Sequence, residues 1–313
     1  MGTPSFAVAS LEALVEDSKV KVLGVVTQPD RPQGRKRKLT PSPVKIFALE
    51  HDLPLYQPEN IAEDEALEEL VFKKTTDMII TAAYGQKIPA AWLTAPRYGS
   101  LNVHASLLPR HRGGAPVHYA IWCGDDEAGV TIMQMNETLD GGAIISQEAL
   151  PISEQTITKE LYADLAQVGA QLLIRTLPAW FARELTPKAQ EEKQVTYAPV
   201  IKKQDEQINW SKEAKAISRK IRAFNDWPGP YTRYQGQRWK IWRAEALPEE
   251  KTSAAPGEII KIAPKTEDFW LACGQGTVLK ITEIQPNGKK AMPINSFLQG
   301  AGRQMAEGER FDG

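Results

Sequence analysis

L-N-V-H-A-S-L-L-P-R-H-R-G-G-A-P occupies residues 101–116, and the organisation of the first half of the chain follows from it. A β-prone run leads into this stretch, and side chains two positions apart on a strand point to the same side. Asn102 and His104 are therefore predicted to emerge together at the carboxyl end of a strand, where open α/β sheets bind their ligands. Gly113-Gly114 allows the backbone to approach a neighbour closely. We predict a functional site here, covered by a loop.

L-D-G-G at 139–142 follows another predicted strand, 129–135, and we expect it to bring Asp140 back to the same site. Each of the three residues also has an ordinary structural interpretation. An Asn at a strand end is commonly a turn residue, a single His is commonly a satisfied core or surface group, and Asp-Gly-Gly is commonly a turn. Three polar side chains on successive strand ends, with a glycine-bearing loop between them, favour a catalytic site.

Several motifs resemble the folate-dependent formyltransferases, and the similarity spans nearly the whole chain. They are N-V-H-A-S-L-L-P-R-H-R-G-G-A-P-V at 102–117, G-V-T-I-M-Q-M at 129–135 and L-D-G-G at 139–142. Two further segments narrow the resemblance to the members that act on charged tRNA: T-Q-P-D-R-P-Q-G-R-K-R-K-L-T-P-S-P-V-K at 27–45 and A-F-N-D-W-P-G-P-Y at 223–231.

The resemblance implies transfer of a formyl group from 10-formyltetrahydrofolate to the α-amine of methionine on an aminoacylated initiator tRNA. Attack by the amine produces an oxyanion, for which Asn102 and His104 are the candidate hydrogen-bond donors. Asp140 would orient His104 and relay the amine proton, and either of these two residues is a candidate for the formal base. The residues implied in folate binding are Ser106, Leu107, Leu108 and Pro109, with Ala83, Tyr84 and Gly85 lining the pterin pocket.

A basic loop at 28–43 is the candidate tRNA contact. Its four prolines predict a segment outside helix and sheet, and its cations suit phosphate contacts better than base recognition. The alternative is a solvated basic loop without a partner. By resemblance the loop wedges against the acceptor end of tRNA, with Arg35 as the foremost contact in a set that contains Arg31, Arg35, Lys36, Arg37 and Lys38.

The chain has 313 residues, which exceeds the size at which a single core keeps growing, so two domains are expected. Alternating strands and helices at 1–187 predict a Rossmann-like α/β domain with a mainly parallel sheet, the formyltransferase catalytic domain. Residues 188–204 are polar and aperiodic, and we predict a linker. Short alternating strands at 205–313 predict a small β-barrel, which the resemblance specifies as OB-like and tRNA-binding.

Three local expectations accompany this division. Lys19–Thr27 is predicted to form one strand, and the last dozen residues are predicted to be disordered. Met1-Gly2-Thr3-Pro4 opens directly onto a helix, whereas the family pattern has a hydrophobic strand upstream. We therefore expect the first strand of the sheet to be missing and the native start to lie upstream of Met1.

Charge separates the two halves. Residues 1–187 carry 17 Lys and Arg against 23 Asp and Glu, whereas residues 188–313 carry 21 against 16. A basic second half suggests a polyanionic partner, although a solvated basic face explains charge alone equally well. Between Lys212 and Arg243 the cations alternate with five aromatics that suit either a nucleic-acid surface or the barrel core: Trp227, Tyr231, Tyr234, Trp239 and Trp242.

Other classes of protein fit the sequence poorly. No apolar run approaches the roughly 20 residues of a membrane helix, so we expect no membrane partner and a cytoplasmic monomer. Cys123 and Cys273 are expected to be unpaired thiols. His104, His111 and His118 recur at a spacing that matches no standard ligand pattern, so no metal is expected. The nicotinamide-binding G-x-G-x-x-G pattern is absent.

Two rival functions are carried forward. One is another enzyme that uses 10-formyltetrahydrofolate, acting on a small amine or on water, which would need neither the basic loop nor the barrel. The other is a noncatalytic tRNA-binding module on a decayed enzyme fold. The presence of Asn102, His104 and Asp140 together argues against the second.

Overall fold

Short apolar runs in the first half of the chain form strands between amphipathic helices. The computed structural model describes residues 1–34, 37–73 and 75–312. The elements of the first 199 residues are α1 Ser5–Glu16, β1 Val25–Val26, β2 Arg31–Gln33, β3 Lys38–Thr40, α2 Pro43–Glu50, β4 Leu55–Tyr56, α3 Glu65–Phe72, β5 Ile79–Thr81, α4 Ala90–Thr94, β6 Ser100–His104, α5 Pro116–Cys123, β7 Glu127–Gln134, β8 Ile144–Pro151 and α6 Thr158–Phe181, with short 3₁₀ turns at Ile61–Glu63 and Glu192–Gln194.

The central sheet of the first half has the order β5-β6-β7-β8. β5 and β6 run parallel, whereas β7 and β8 add antiparallel strands at one edge. All but the two end residues of β7 are buried, as expected for a strand covered on both faces. β1 pairs in parallel with β4, and Gly2 lies between β1 and β5, donating to the Val26 carbonyl and bridging Ala82 in parallel. The α/β class predicted for this half is confirmed.

Two local predictions in this half are wrong. The strand predicted at Lys19–Thr27 contains only Val25–Val26, because its partner β4 offers only two residues for pairing. The segment at 28–43 does enter a sheet, since Arg31–Gln33 and Lys38–Thr40 form a two-stranded hairpin. Pro32 is tolerated there because a two-stranded ribbon has edges whose N–H groups face away from any partner.

The second half is an antiparallel sheet closed on itself. Its elements are α7 Ala214–Ala223, β9 Tyr231–Tyr234, β10 Gln237–Lys251, β11 Ile259–Ala263, β12 Asp268–Ala272, β13 Thr277–Gln285, β14 Met292–Pro293 and α8 Ile294–Gln299. The strand order is β11-β12-β13-β10-β9, with β14 beside β13. The core of this sheet holds large apolar side chains that include Ile241, Phe269, Leu279 and Phe297.

Residues 308–312 close the barrel between its two edge strands. Arg310 bridges Glu258 next to β11, and Asp312 bridges Arg233 of β9. Phe311, between them, is only 1% exposed and belongs to the core. The predicted barrel is confirmed. The predicted disorder of the last dozen residues is wrong for the described part of this segment, since residues 308–312 complete the sheet.

The aromatics of the basic stretch divide between the two interpretations. Trp239, Tyr231 and Tyr234 are buried in the second half, whereas Trp227 is 56% exposed. Trp242 is partly buried, and the ammonium of Lys240 lies 4.9 Å from the centre of its ring. Most of these rings therefore serve the core, and a smaller cation–aromatic surface remains.

Backbone contacts divide the chain into two compact units. The first comprises Met1–Pro116, Glu127–Pro151 and Tyr162–Pro199, and the second comprises Val117–Asp126, Ile152–Leu161 and Val200–Gly313. The boundaries predicted at 187 and 205 stay a prediction. Among the residues that the structure describes, none of the helices combines the length and apolarity needed to cross a membrane.

Candidate active site

Asn102 and His104 both lie on β6, two residues apart, and so share one face of the sheet. β6 is held on one side by β5, where Thr81 faces Asn102 in register. The buried Thr81 hydroxyl donates to Asn102 Oδ1 at 2.8 Å. Because the amide oxygen is engaged in this way, the Nδ2 end of Asn102 is directed elsewhere as a hydrogen-bond donor.

His104 ends β6 and is 6% exposed. Its Nε2 lies 3.1 Å from the backbone oxygen of His111. A carbonyl oxygen can only accept, so Nε2 carries the proton in the neutral ring and Nδ1 is the basic atom. Nδ1 lies 3.7 Å from Oδ1 of Asp140. The basic nitrogen of the imidazole thus faces a carboxylate, at slightly more than hydrogen-bond distance.

Asp140 reaches the site from a hairpin loop and not from the carboxyl end of a parallel strand. β7 runs antiparallel to β6, with Thr131 opposite His104 and Gln134 opposite Leu101. The carboxyl end of β7 therefore lies at the far end of β6 from His104. The loop between β7 and β8 turns back to bring Asp140 beside His104, and Asp140 itself has a positive φ of 48°.

The second carboxylate oxygen of Asp140 is held by the glycine-bearing loop. The backbone N–H of Gly113 donates to Asp140 Oδ2 at 2.8 Å. Gly113 has φ of 123°, and a Cβ at this position would lie 2.7 Å from the carbonyl oxygen of Ala198. The close approach that the two glycines predicted is therefore made to the backbone of residue 198, and it leaves the Gly113 N–H free to fix Asp140.

The predicted folate shelf, residues 106–109, is anchored by Thr131 of β7. The Leu108 N–H donates to Thr131 Oγ1 at 3.1 Å, and the same hydroxyl donates to the Ser106 carbonyl at 2.6 Å. Ser106 and Leu108 are buried, whereas Leu107 and Pro109 are partly exposed. The backbone of this shelf is therefore fixed by β7, and it begins two residues after His104.

The second predicted folate segment, residues 83–85, follows β5. Ala83 and Gly85 are exposed and both have positive φ. The Tyr84 ring is instead 4% exposed and packs in the hydrophobic core, where burial raises the pKa of its hydroxyl to about 12. Its backbone oxygen accepts from Thr3 Oγ1 at 2.9 Å. Only the backbone of Tyr84 can therefore line a ligand site here.

The predicted tRNA residues lie on the β2–β3 hairpin. Arg31, Arg37 and Lys38 are exposed, and Arg37 occupies the turn with φ of 48°. The Arg31 guanidinium pairs with Glu59 at 2.8 Å. Arg35 and Lys36 lie outside the described residues.

Four residues that shape this site were not predicted from the sequence: Thr81, Thr131, Gln190 and Thr196. Thr196 Oγ1 accepts from the His111 N–H at 2.9 Å, and Gln190 contacts the Asp140 turn. Both lie in the segment predicted as a linker, and no local pattern marks them because their partners are distant in sequence. Within 1–34, 37–73 and 75–312, no group of three or more His, Cys, Asp and Glu side chains is arranged to hold a metal ion.

Comparison with known proteins covers the whole chain. A family model described as formyl transferase matches residues 1–177, and a model described as the formyl transferase C-terminal domain matches residues 200–302. The methionyl-tRNA formyltransferase of Enterococcus faecalis is 47% identical over 100% of this chain and 98% of its own length. That of Geobacillus thermodenitrificans is 48% identical over 99% of this chain and 96% of its own.

The fold is also similar to that of a solved sugar formyltransferase. WlaRD, a sugar 3N-formyl transferase crystallised in the presence of dTDP and 5-N-formyl-THF, has a TM-score of 0.68 against this chain. The alignment covers 92% of this chain and 97% of that one, at 19% sequence identity. At that identity the likeness concerns the fold alone.

Proposed function

The chain belongs to the formyl transferase family and matches methionyl-tRNA formyltransferases along its whole length; on that premise we propose that Asn102, His104 and Asp140 carry the transfer. The reaction takes the formyl group of 10-formyltetrahydrofolate to the α-amine of methionyl-tRNA. The observation that carries the proposal is the position of His104 Nδ1, 3.7 Å from Asp140 Oδ1 while Nε2 is engaged by the His111 carbonyl.

Asn102 is the donor assigned to the oxyanion. When the amine attacks the formyl carbon, negative charge develops on the formyl oxygen, and one preplaced donor in such a position is commonly worth about 3–4 kcal/mol of barrier. The Asn102 amide is already oriented by Thr81, so it need not reorganise as charge develops. This preorganisation favours the transition state over the ground state.

His104 and Asp140 accept the proton that the amine must lose. An α-amine with a pKa of about 8 is partly protonated near neutrality and must lose a proton before its lone pair can attack. His104 Nδ1 and the Asp140 carboxylate form a pair of acceptors that can take it, and Gly113 fixes the carboxylate in place. Either member of the pair can act as the formal base.

The bonds and protons of the transfer can be accounted for with the groups of this site and the two substrates. A bond forms between the amine nitrogen and the formyl carbon, and the bond from that carbon to N10 of the folate breaks. After attack, the nitrogen of the tetrahedral intermediate carries one proton more than the amide product. The His104–Asp140 pair takes this proton and returns it to N10 as the bond to the formyl carbon breaks, whereas the proton lost earlier by the ammonium form is released to solvent, so the pair ends the cycle in its starting state. No redox partner is required.

We further propose that residues 106–109 and 83–85 hold the folate. Residues 106–109 follow His104 closely in sequence, and Thr131 fixes their backbone. A rigid segment in this position is suited to hold a flat ring beside the reacting carbon. At 83–85 the support is limited to Ala83, Gly85 and the Tyr84 backbone, because the Tyr84 ring is in the core.

We assign tRNA contacts to the basic hairpin and to the second half of the chain. Arg37 and Lys38 are exposed cations on the hairpin, and Arg31 forms an ion pair with Glu59. The proposed roles of Arg35 and Lys36 rest on sequence alone. The proposed division of labour is catalysis by 1–187, a connection at 188–204 and tRNA binding by 205–313. An initiator tRNA as acceptor, a monomeric state and a cytoplasmic location are proposals of the same kind.

A formylation assay tests donor and acceptor together. Charged initiator and elongator methionine tRNAs are offered with and without 10-formyltetrahydrofolate, and formylation is expected only with the folate and faster with the initiator. Substitution of alanine for Asn102, His104 or Asp140 should abolish turnover with tRNA binding nearly unchanged in a filter-binding assay. Full activity in any one variant removes that residue from the proposal. Formylation of small amines at comparable rates would instead support the rival enzyme.

A further inference from the structure

Gln190 makes three hydrogen bonds that connect the Asp140 turn to a buried arginine. Its side-chain Nε2 donates to the backbone oxygens of Asp140 at 2.7 Å and of Gly142 at 2.8 Å. Its Oε1 accepts from Arg112 Nε at 2.9 Å. Both hydrogens and the oxygen of one amide are thus used, and two of the bonds hold the backbone on either side of Gly141.

Arg112 gives this amide a fixed anchor. The residue is 2% exposed, and its Nη2 also pairs with Glu192 at 3.0 Å. Its backbone is paired as well, since Arg112 N donates to the Thr196 carbonyl at 2.9 Å and its own carbonyl accepts from Ala198 N at 2.7 Å. A buried guanidinium with these partners has little freedom, so it fixes the position of the Gln190 amide.

The segment that carries Gln190 is attached to the first unit at both of its ends. Lys188 and Ile144 exchange two backbone hydrogen bonds of 2.8 Å. Ala198 N–H and carbonyl pair with Arg112 and Ala115. Residues 188–198, which we name the strap, therefore cross from the start of β8 to the loop that carries Gly113.

Gln190 contacts a turn in which the backbone of Asp140 is in the left-handed region. Asp140 has a positive φ of 48°, a conformation that is uncommon for L residues in general and that Asp adopts more often than most. Within the turn, the Gly141 N–H donates to the Thr138 carbonyl. Gln190 donates to the carbonyls of Asp140 and Gly142, so it holds the backbone from which the Asp140 side chain extends to Gly113 and His104.

We propose that Gln190 is a positioning residue that sets the distance between the Asp140 carboxylate and His104, so that this one side chain of the strap supports catalysis in addition to the connection that the strap makes between domains. This inference rests on the proposed catalytic role of Asp140. A displacement of about 1 Å at a reacting group can cost about 100-fold in rate, so removal of the two donated hydrogen bonds should appear in kcat.

Three variants of the full-length chain separate the roles of this amide. Gln190→Ala removes all three hydrogen bonds. Gln190→Glu keeps an acceptor for Arg112 but places a carboxylate oxygen against the two carbonyls that Nε2 now serves. Gln194→Ala is the matched control, because Gln194 lies on the same strap, is exposed, and donates only to Glu191.

Steady-state formylation of charged methionine tRNA should show kcat reduced about 10- to 100-fold in Gln190→Ala and in Gln190→Glu. KM for both substrates should stay within about twofold, since no group that touches a substrate is removed. Gln194→Ala should match the wild type. Combined with Asp140→Asn, Gln190→Ala should add no further loss, because two residues that act through one group are not additive.

Wild-type kcat in Gln190→Glu would overturn the inference, since the pairing with Arg112 would then be what matters. So would a loss confined to KM, or losses that multiply in the double variant. The two proposals fail separately. Full activity of Asp140→Asn removes the catalytic role of Asp140 itself, whereas an inactive Asp140→Asn beside a fully active Gln190→Ala removes only the role of Gln190.

Discussion

His104 Nδ1 and Asp140 Oδ1 lie 3.7 Å apart although β6 and the β7–β8 loop bring them from opposite ends of an antiparallel pair. The carboxylate is held by the Gly113 N–H and the imidazole by the His111 carbonyl. Each side chain therefore has a backbone partner of its own besides its contact with the other. Their separation is therefore a property of the loops around them, and variants can address the pair without disturbing the sheet.

Asp140→Asn should reduce kcat by about 100- to 10,000-fold, the range of general acid–base contributions. The amide keeps an oxygen for the Gly113 N–H, so the loop should keep its conformation, but the carboxylate that faces His104 is replaced by a neutral group. Glu137→Gln is the control, since it removes an exposed carboxylate from the same loop. Equal losses in both variants would mean that the charge of the loop, and not Asp140, supports the reaction.

Thr81→Val should reduce kcat about tenfold while Thr81→Ser stays near wild type. Valine has almost the shape of threonine but cannot donate to Asn102 Oδ1, so the amide is no longer fixed with its Nδ2 toward the reacting centre. Removal of one hydrogen bond of about 1–1.5 kcal/mol corresponds to this factor. Single-turnover formylation at saturating substrates measures it, and identical rates for Val and Ser would show that Asn102 needs no such support.

Replacing Arg37 and Lys38 together by Ala should raise KM for tRNA and leave kcat unchanged. For each phosphate that is no longer neutralised, the slope of log affinity against log salt should fall by about 0.7–0.9. Arg31→Ala should have a smaller effect, because the Arg31 charge is already paired with Glu59. Binding measured from low to high salt tests this order, and unchanged salt slopes would place the tRNA-binding surface elsewhere.

Asp268→Asn should destabilise the barrel in a pH-dependent way. The pKa of the Asp268 carboxyl is well below its ordinary value, chiefly because Lys261 donates a hydrogen bond to it. Burial acts in the opposite direction, and hydrogen bonds from Thr266 and Lys280 lower the pKa further. A depressed folded-state pKa stabilises the protein above the unfolded pKa of about 3.9, and this contribution disappears as pH falls below that value.

Urea unfolding should therefore show a deficit for Asp268→Asn at pH 7 that narrows only when the pH is lowered below about 4, toward the depressed pKa of the folded state. Glu249→Gln, an exposed carboxylate on β10, should show no such narrowing. A deficit that is constant across this range would mean that the contribution of Asp268 does not depend on its charge.

Phe311→Ala should cost about 3–5 kcal/mol, the usual loss for a buried aromatic replaced by alanine. Phe311 is 1% exposed and packs against Trp210, Tyr234 and Trp239. Because Phe311 lies on the closing segment, native-state hydrogen exchange should accelerate most in β9 and β11. Asp312→Ala is the control, since the exposed side chain is removed while its backbone bonds with Arg233 remain.

Much of the first unit could be predicted from local pattern. Period-two alternation predicts Asn102 and His104 on one strand, and the L-D-G-G motif predicts Asp140 at the same site. The sequence does not predict the route by which Asp140 arrives, because the direction of β7 depends on pairing with β6 that hydrophobicity does not encode. A buried strand has the same composition whether it runs parallel or antiparallel.

The remainder depends on contacts between residues far apart in sequence. Gln190 lies in a polar segment without periodicity, and only Arg112 and the Asp140 turn show why an amide is needed there. Phe311 stands alone in G-E-R-F-D-G, where one aromatic among polar residues predicts disorder. Its burial becomes visible only when β9 and β11 are both in place to receive it.

Closure of the barrel by residues 308–312 imposes an order on biosynthesis. On a translating ribosome, β9 through β13 are made before the segment that joins their outer edges, so the nascent sheet exposes unpaired N–H and C=O groups during that interval. All segments of the first unit precede residue 200 and can fold while this occurs. The interval before residue 312 emerges is thus when the growing chain is most open to pairing with another strand.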